Sequence, residues 1–376
     1  MVNKYTPFLN IGPGEFIKEE LETRNWRQED LADIIGISLK SVNKLIMNKQ
    51  AITIETAKLL SKAFGQSPQY WINLDTNYRL RLQKEGLEEK DVEIRANIYR
   101  YMPVKEMIKK GWLKSFKTID DLVNEIKKFW GISTLDFSFI DDDVSINFRK
   151  SETFTQYNKY YAYAWFKMAQ RCARLFKVKK YNRDTLRVLA ADLFRYTESE
   201  NGVETFLKEL NKSGVKFFVL SHIQKTYIDG ASFFDSSNPV IVYTARHNRT
   251  DNFWFTLAHE IAHVLLHLKK QDDRFIDNLD DLNTEKEKAA NKFAEGILKA
   301  KEILRYFDPY RKYISMERVL SCAHELEISP AIVVGILQHN DFLSQRNLNR
   351  FKTPVLELIS TEFFPERDVE KITEVA

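Results

Sequence analysis

The segment Phe253-Trp254-Phe255-Thr256-Leu257-Ala258-His259-Glu260-Ile261-Ala262-His263-Val264-Leu265-Leu266-His267 concentrates the side chains with the most chemistry. Residues four apart share one helix face, so His259 and His263 can bind one metal ion through two imidazoles. Glu260 follows the first of them and can reach a water held by that metal. Zinc lowers the pKa of such a water from ~15.7 toward ~7, and a carboxylate can then take its proton. The flanks are apolar, as a helix buried below a cleft requires. His267 continues the face by one turn. It reads as a group supporting the ligands or the fold, with direct ligation as the alternative.

A catalytic zinc takes three protein ligands and keeps a position open. The next helical stretch, Thr284-Glu285-Lys286-Glu287-Lys288-Ala289-Ala290-Asn291-Lys292-Phe293-Ala294, sets Glu287, Ala290 and Ala294 on one face. Small residues there let two helices approach closely. Glu287 is the candidate third ligand and Glu285 the alternative. Thr284-x-x-Glu287 is equally a capping-box pattern, in which Glu287 would cap its own helix. Spacing leaves both roles open.

The two segments together, Leu257-Ala258-His259-Glu260-Ile261-Ala262-His263 and Glu287-x-x-Ala290-Asn291-x-Phe293-Ala294, resemble the ImmA/IrrE family of metallopeptidases. The resemblance covers roughly residues 150–350. It implies His259, His263 and Glu287 as Zn2+ ligands and Glu260 as general base. The chain departs from that family's pattern at Ile297-Leu298-Lys299-Ala300, where Leu-Met-Pro is common. His222, His247 and His339 are candidates for stabilising an oxyanion. Tyr243 or a neighbour on its strand could pair with a substrate backbone by strand addition.

The elements that carry these residues follow from periodicity and punctuation. Val215–Leu220, Ala231–Phe234 and Val240–Tyr243 read as strands, with Ser236-Ser237-Asn238-Pro239 as turn residues between the last two; a small antiparallel sheet fits. Helical periodicity resumes near Asn252 and runs, with interruptions, to Asn340. Residues 76–212 read as mostly helical. The aromatic stretch Tyr157–Phe176 reads as core packing rather than as a base-stacking surface. The last 35 or so residues are weakly patterned.

The N-terminal end has a different chemistry. Gly14–Thr23, Gln28–Ile35, Leu39–Met47, Ile54–Ala63 and a stretch opened by Pro68 read as five helices. Gly36 supplies a left-handed stop, and Ser38 and Thr53 supply N-caps. The second and third helices form a helix-turn-helix. Residues 36–65 hold Lys40, Lys44, Lys49, Lys58 and Lys62 against the single acid Glu55, a local positive face of the kind phosphate contact requires. Ser38, Lys40, Ser41, Asn43 and Lys44 are the candidate DNA-contacting set, while Val42, Leu45 and Ile46 face inward. A second pattern of this shape, Val319–Gln338, has no basic residue on its second helix and reads as packing.

Pro13-Gly14-Glu15-Phe16-Ile17-Lys18-Glu19-Glu20-Leu21, Gln28-Glu29-Asp30-Leu31-Ala32, Ala51-Ile52-Thr53-x-Glu55-Thr56-Ala57 and Phe64-Gly65-x-Ser67-Pro68-x-Tyr70-Trp71-Ile72-Asn73-Leu74 are similar to HigA-type antitoxins of the Xre/Cro-like class. That resemblance implies operator DNA as a partner, a homodimer and a cognate toxin. Leu39, Asn43 and Met47 depart from the residues expected in that family.

With 376 residues, 44% hydrophobic and 29% charged, the chain suits two or three globular domains. The net charge of +4 indicates no partner by itself. Cys172 and Cys322 lack metal-site spacing and read as buried reduced thiols. No apolar run approaches the ~20 residues of a membrane span, and the N-terminus lacks a signal peptide's apolar core. A cytoplasmic location with no membrane partner is expected. The expected architecture is mainly α: an Xre-type helix-turn-helix domain at 1–80, a helical connector at 81–150, an α+β zincin-like domain at 151–350 and a tail at 351–376. The resemblances imply a DNA-binding regulatory zinc metalloendopeptidase, gluzincin-like, that cleaves a repressor or antitoxin, represses its own operon, or both. The alternative is a repressor or antitoxin whose zincin-like domain is a non-proteolytic sensor or partner-binding module.

Overall fold

The computed structural model describes residues 10–82, 87–147, 157–269, 273–276 and 285–368. The chain divides into two compact units, Met1–Ile94 and Arg95–Ala376.

The first unit holds α1 (Pro13–Arg24), α2 (Gln28–Ile35), α3 (Leu39–Ile46), α4 (Ile54–Phe64) and α5 (Pro68–Leu82). Local chemistry sets each boundary. Pro13 opens α1, where its missing N–H costs nothing. The backbone N–H of Arg27 donates to Asp30 Oδ2 (2.6 Å) at the start of α2. Gly36 ends α2 with φ 68°, a conformation other residues adopt at a cost. Ser38 Oγ accepts from the Ser41 N–H (3.1 Å), and Thr53 Oγ1 from the Thr56 N–H (3.2 Å). Ile17, Leu31, Val42, Leu45, Leu60 and Trp71 meet in one buried cluster. Asp75, itself buried, accepts from the Ile52 N–H (3.0 Å) and pairs with Arg79, which pins the α3–α4 connection to α5.

The unit boundary falls within α6 (Leu87–Tyr101). The second unit continues through α7 (Val104–Lys109), α8 (Ile119–Trp130), α9 (Ser138–Asn147), α10 (Lys159–Ala173), α11 (Arg183–Ala191), α12 (Leu193–Glu198) and α13 (Gly202–Lys212). Then come β1 (Lys216–Val219), β2 (Gly230–Asp235), β3 (Asn238–Tyr243), α14 (Thr250–Ala262), β4 (Arg274–Ile276), α15 (Glu285–Ile297), α16 (Ala300–Phe307), α17 (Met316–Leu326) and α18 (Pro330–His339).

The strands order as β1-β3-β2-β4. β2 and β3 form the expected antiparallel hairpin, but its turn is only Ser236-Ser237. Asn238 and Pro239 already pair with Asp235 and Phe234. β1 runs parallel to β3, so the sheet is mixed rather than wholly antiparallel. The chain must cross over between β1 and β2 because β3 occupies the place beside β1. β4 is an edge strand of three residues with no period long enough to read from sequence.

Aromatic residues of α10 do pack inward: Trp165 Nε1 donates to Ser221 O (3.1 Å), and Phe166 meets Phe233 edge-on at 5.1 Å. α17 and α18 meet at a 112° bend, and α18 buries Ile332, Val333, Val334 and Leu337 in the core around α14. Beyond α18, short 3-10 turns carry Val355, Ile359 and Phe363 into that core. These turns have neither helical nor strand period, which hides their packing from pattern reading. Both cysteines are free and buried. Among the described residues no single helix is long and apolar enough to cross a membrane.

Candidate functional site

α14 lies between the sheet, through β2 and β3, and α15. One side faces the strands and the other meets Ala290 and Ala294 of α15, both fully buried. The small residues allow the helices to approach, and three side chains then converge. His263 Nε2 is 2.9 Å from His259 Nε2. Glu287 reaches both rings, with Oε2 3.1 Å from His259 Nε2 and Oε1 3.2 Å from His263 Nε2. All three residues are buried, and their donor atoms lie within 4.8 Å of one another. The structure therefore brings His259, His263 and Glu287 together. Glu285 is exposed and pairs with Lys288. Thr284 lies outside the described residues, and so does the capping box in which it would take part.

The donor set fits a divalent cation. Ligands on bonds of about 2.0–2.1 Å stand roughly 3.3 Å apart at the corners of a tetrahedron. The observed separations of 2.9–3.2 Å are close to that edge. Two imidazoles and one carboxylate are also a donor set that leaves a position for a reactant. Burial opposes the charge on Glu287, but hydrogen bonds from His259 and His263, with their charges, outweigh it and hold the carboxyl at about 2.

The outer nitrogens of both rings are also held. His259 Nδ1 lies 2.9 Å from Asn291 Oδ1. His263 Nδ1 lies 3.1 Å from His267 Nδ1. The helix widens into a π turn over His263–His267, a distortion common at functional sites, and the two rings sit 5.1 Å apart there. Burial and the neighbouring His263 lower the His267 pKa to about 4, which favours the neutral ring. Phe275 of β4 stacks on His263 with centroids 4.5 Å apart and planes 17° from parallel. Arg274 anchors that strand through Asp143 (2.5 Å) and the Phe166 ring.

Glu260 is buried on the sheet side of α14 beside the first residue of β2. A β-carbon at Gly230 would stand 2.5 Å from Glu260 Oε1. Glycine in a strand often marks such an approach, so this partner was open to sequence reasoning, as was Asn291, four residues after Glu287. Phe275 gave no signal, because its strand is too short.

The other candidates sit apart from the donors. Tyr243 lies on β3 between two neighbouring strands, and its hydroxyl donates to His247 O (3.0 Å), so it is no edge for strand addition. His222 and His247 lie near Asp229 and Arg246, and burial lowers both pKa values. His339 is one ring from His259, across Phe255. At the departure from the family pattern, Lys299 takes a left-handed conformation (φ 55°) and starts α16.

In the first unit, α3 buries Val42, Leu45 and Ile46 and exposes Lys40 and Lys44. Ser41 and Asn43 are partly exposed. Ser38 is exposed, but its Oγ is engaged as the helix cap, 2.8 Å from Ser41 Oγ. Leu39 at the start of this helix and Met47 at its C-cap also stand out, 39% and 60% exposed.

A helix-turn-helix family model matches residues 17–71. The first unit is also 35% identical over 68 residues to an uncharacterized HTH-type transcriptional regulator, YddM, of Escherichia coli, covering 72% of that relative and 18% of this chain. The chain belongs to the helix-turn-helix transcriptional regulators. A second regulator of this type, from Haemophilus influenzae, is 35% identical over 68 residues; the chain spans 64% of its length, and the match covers 18% of this chain. Virulence-associated protein I of Dichelobacter nodosus is 29% identical over 85 residues, 79% of that protein and 22% of this one. An IrrE N-terminal-like domain model matches residues 208–335. This regulator therefore joins a DNA-binding unit to a peptidase-like domain, and the second match contains every donor of the convergent cluster.

Proposed function

We propose that this regulator is a zinc-dependent endopeptidase acting on a regulatory protein of the repressor or antitoxin kind, with its first unit bound to operator DNA. The observation that carries the reading is the buried convergence of His259, His263 and Glu287 beside Glu260. When bound, the cation supplies Lewis acidity and makes a nearby water more acidic. Glu260 takes the proton of that water as its oxygen attacks the scissile carbonyl carbon. The same carboxyl then returns the proton to the departing amine nitrogen. Gly230 leaves room for the carboxylate to stay at the reacting face. Asn291 and His267 hold the two imidazoles with Nε2 inward. Phe275 walls the His263 side against water.

In the first unit, Lys40 and Lys44 contact phosphates, while Ser41 and Asn43 reach base edges. Ser38 contributes chiefly by capping α3. A homodimer, a cognate toxin and a cytoplasmic setting accompany this reading by resemblance to HigA-type antitoxins.

Glu260→Gln tests it. The variant should keep its metal and its fold, retain its protein target and cease to cut it, so that the trapped target is identified by mass spectrometry. Cleavage at the wild-type rate would remove the peptidase assignment. Metal binding with no cleavage in the wild-type protein would favour a sensing or partner-binding role instead.

A further inference from the structure

A cavity of about 200 Å3 lies among α14, α15, α16 and α18, with Phe255 and Glu295 in its lining. Asn252, Phe255, His259 and His263 share one face of α14 by their three- and four-residue spacing. Phe255 and Asn252 precede His259 by four and seven residues, about 6 and 10 Å along the axis. Glu287 and Asn291 lie on α15, and Leu298 just beyond its end lines the cavity. The Phe255 ring stands between the cavity and the site, 6.4 Å from the His259 ring and 6.5 Å from His339. An extended peptide advances ~3.3 Å per residue, so a side chain close to the scissile bond reaches this cavity.

The walls indicate what fits. Phe255, Leu298, Ala300, Ile332 and Ile336 form an apolar lining. The polar end is occupied with itself. Lys352 Nζ donates to Asp251 Oδ2 (2.7 Å) and Gln338 Oε1 (2.5 Å). Gln338 Nε2 donates to Asn347 O (2.8 Å) and Asn349 Oδ1 (3.1 Å). These contacts fix that end of the cavity, where Arg249 Nε also pairs with Asp251 Oδ1 (3.2 Å), while Asn252, Glu295, His339, Asn340 and Gln345 add polar atoms around the apolar wall. A water takes up about 30 Å3 of liquid, so the space suits a much larger group.

The geometry points to this cavity as the specificity subsite for a large apolar side chain, of leucine or phenylalanine type, flanking the scissile bond. The inference rests on the peptidase reading. Its probes are leucine, phenylalanine and glycine hydroxamates, which chelate a divalent cation and differ in the side chain offered to the cavity. Binding to the full-length, zinc-loaded protein is measured by calorimetry. The leucine form should bind at least ~10-fold tighter than the glycine form, since a single methylene in an apolar pocket is worth roughly 10–200-fold. Ala300→Leu, which fills the cavity, should erase that ratio and leave glycine hydroxamate affinity unchanged. Ile336→Ala, which widens the same wall, should shift preference toward the phenylalanine form and keeps the test available if Ala300→Leu fails to fold. No side-chain preference in the wild type, or a preference indifferent to both variants, overturns the subsite alone. Failure of all three hydroxamates to bind the zinc-loaded wild type overturns the metal-site reading and the subsite with it.

Discussion

Gly230 on β2 lies against the carboxylate of Glu260, so closely that a β-carbon there would stand 2.5 Å from Oε1 and 3.0 Å from Thr256 Cγ2. The proposed base is thus aimed by a strand as well as by its own helix. Gly230→Ala should push the carboxylate aside, because Oε1 ends a flexible side chain, while the stiffer Thr256 methyl must give by a few tenths of an ångström. A displacement near 1 Å costs on the order of 10²-fold in rate. We expect kcat to fall by about that factor on the target identified with the Glu260→Gln variant, with zinc stoichiometry unchanged. Wild-type kcat in Gly230→Ala would show that the contact does not position the base.

Asn291 and His267 touch the outer nitrogens of the two imidazoles rather than the metal position. Groups in that place typically alter metal affinity by about 10–100-fold. Asn291→Ala and His267→Ala should each weaken zinc binding by such a factor in competition with a chromophoric chelator. Affinities equal to the wild type would reduce both contacts to packing.

Glu287 gives a sharper division. As a ligand it binds only in the folded chain, so zinc at about 100 times its Kd should add ~2.7 kcal/mol to wild-type stability. Glu287→Ala should lose most of this gain, visible as a Tm that no longer rises with zinc. A helix-capping role would instead lower Tm in the apo protein and preserve the zinc-dependent rise.

The sequence was most informative where one element's period places the chemistry. His259, Glu260 and His263 needed only helical spacing, and the five N-terminal helices needed only caps and stops such as Ser38, Thr53 and Gly36. Glu287 was ambiguous because three-residue spacing serves a cap as well as a ligand. The parallel β1–β3 pair was not legible, since alternation along a strand carries no record of its neighbour. Phe275 and Phe363 were missed for a related reason: three-residue strands and 3-10 turns are too short to show a period.

On α3, the exposed amines of Lys40 and Lys44 stand opposite the buried face made by Val42, Leu45 and Ile46. Each phosphate neutralised contributes about 0.9 to the slope of log K against log salt. The double variant Lys40→Ala/Lys44→Ala should weaken binding across sequences and flatten that slope by up to ~1.8. Asn43→Ala should instead relax discrimination at one base pair, by roughly 1–3 kcal/mol for a bidentate contact. Titrations of operator DNA at several salt concentrations check both, and an unchanged slope in the double variant would remove these lysines from the interface.

Phe363 is 1% exposed and meets Phe217 of β1 edge-on, with ring centroids 5.7 Å apart. Three residues later, Glu366 accepts from Trp112 Nε1 (2.9 Å) and Ser221 Oγ (2.7 Å). The segment after α18 therefore closes the side of the sheet that supports α14. Removing a buried phenylalanine ring costs about 3–5 kcal/mol when the cavity cannot collapse. Phe363→Ala should accordingly lower hydrogen-exchange protection of the β1 amides by at least ~10²-fold, since 1.4 kcal/mol corresponds to a factor of ten. α3 belongs to the other compact unit, and its amides should keep their wild-type protection. Equal loss in both places would mean that the two units unfold together, whereas unchanged β1 protection would mean that the segment decorates the core without sealing it.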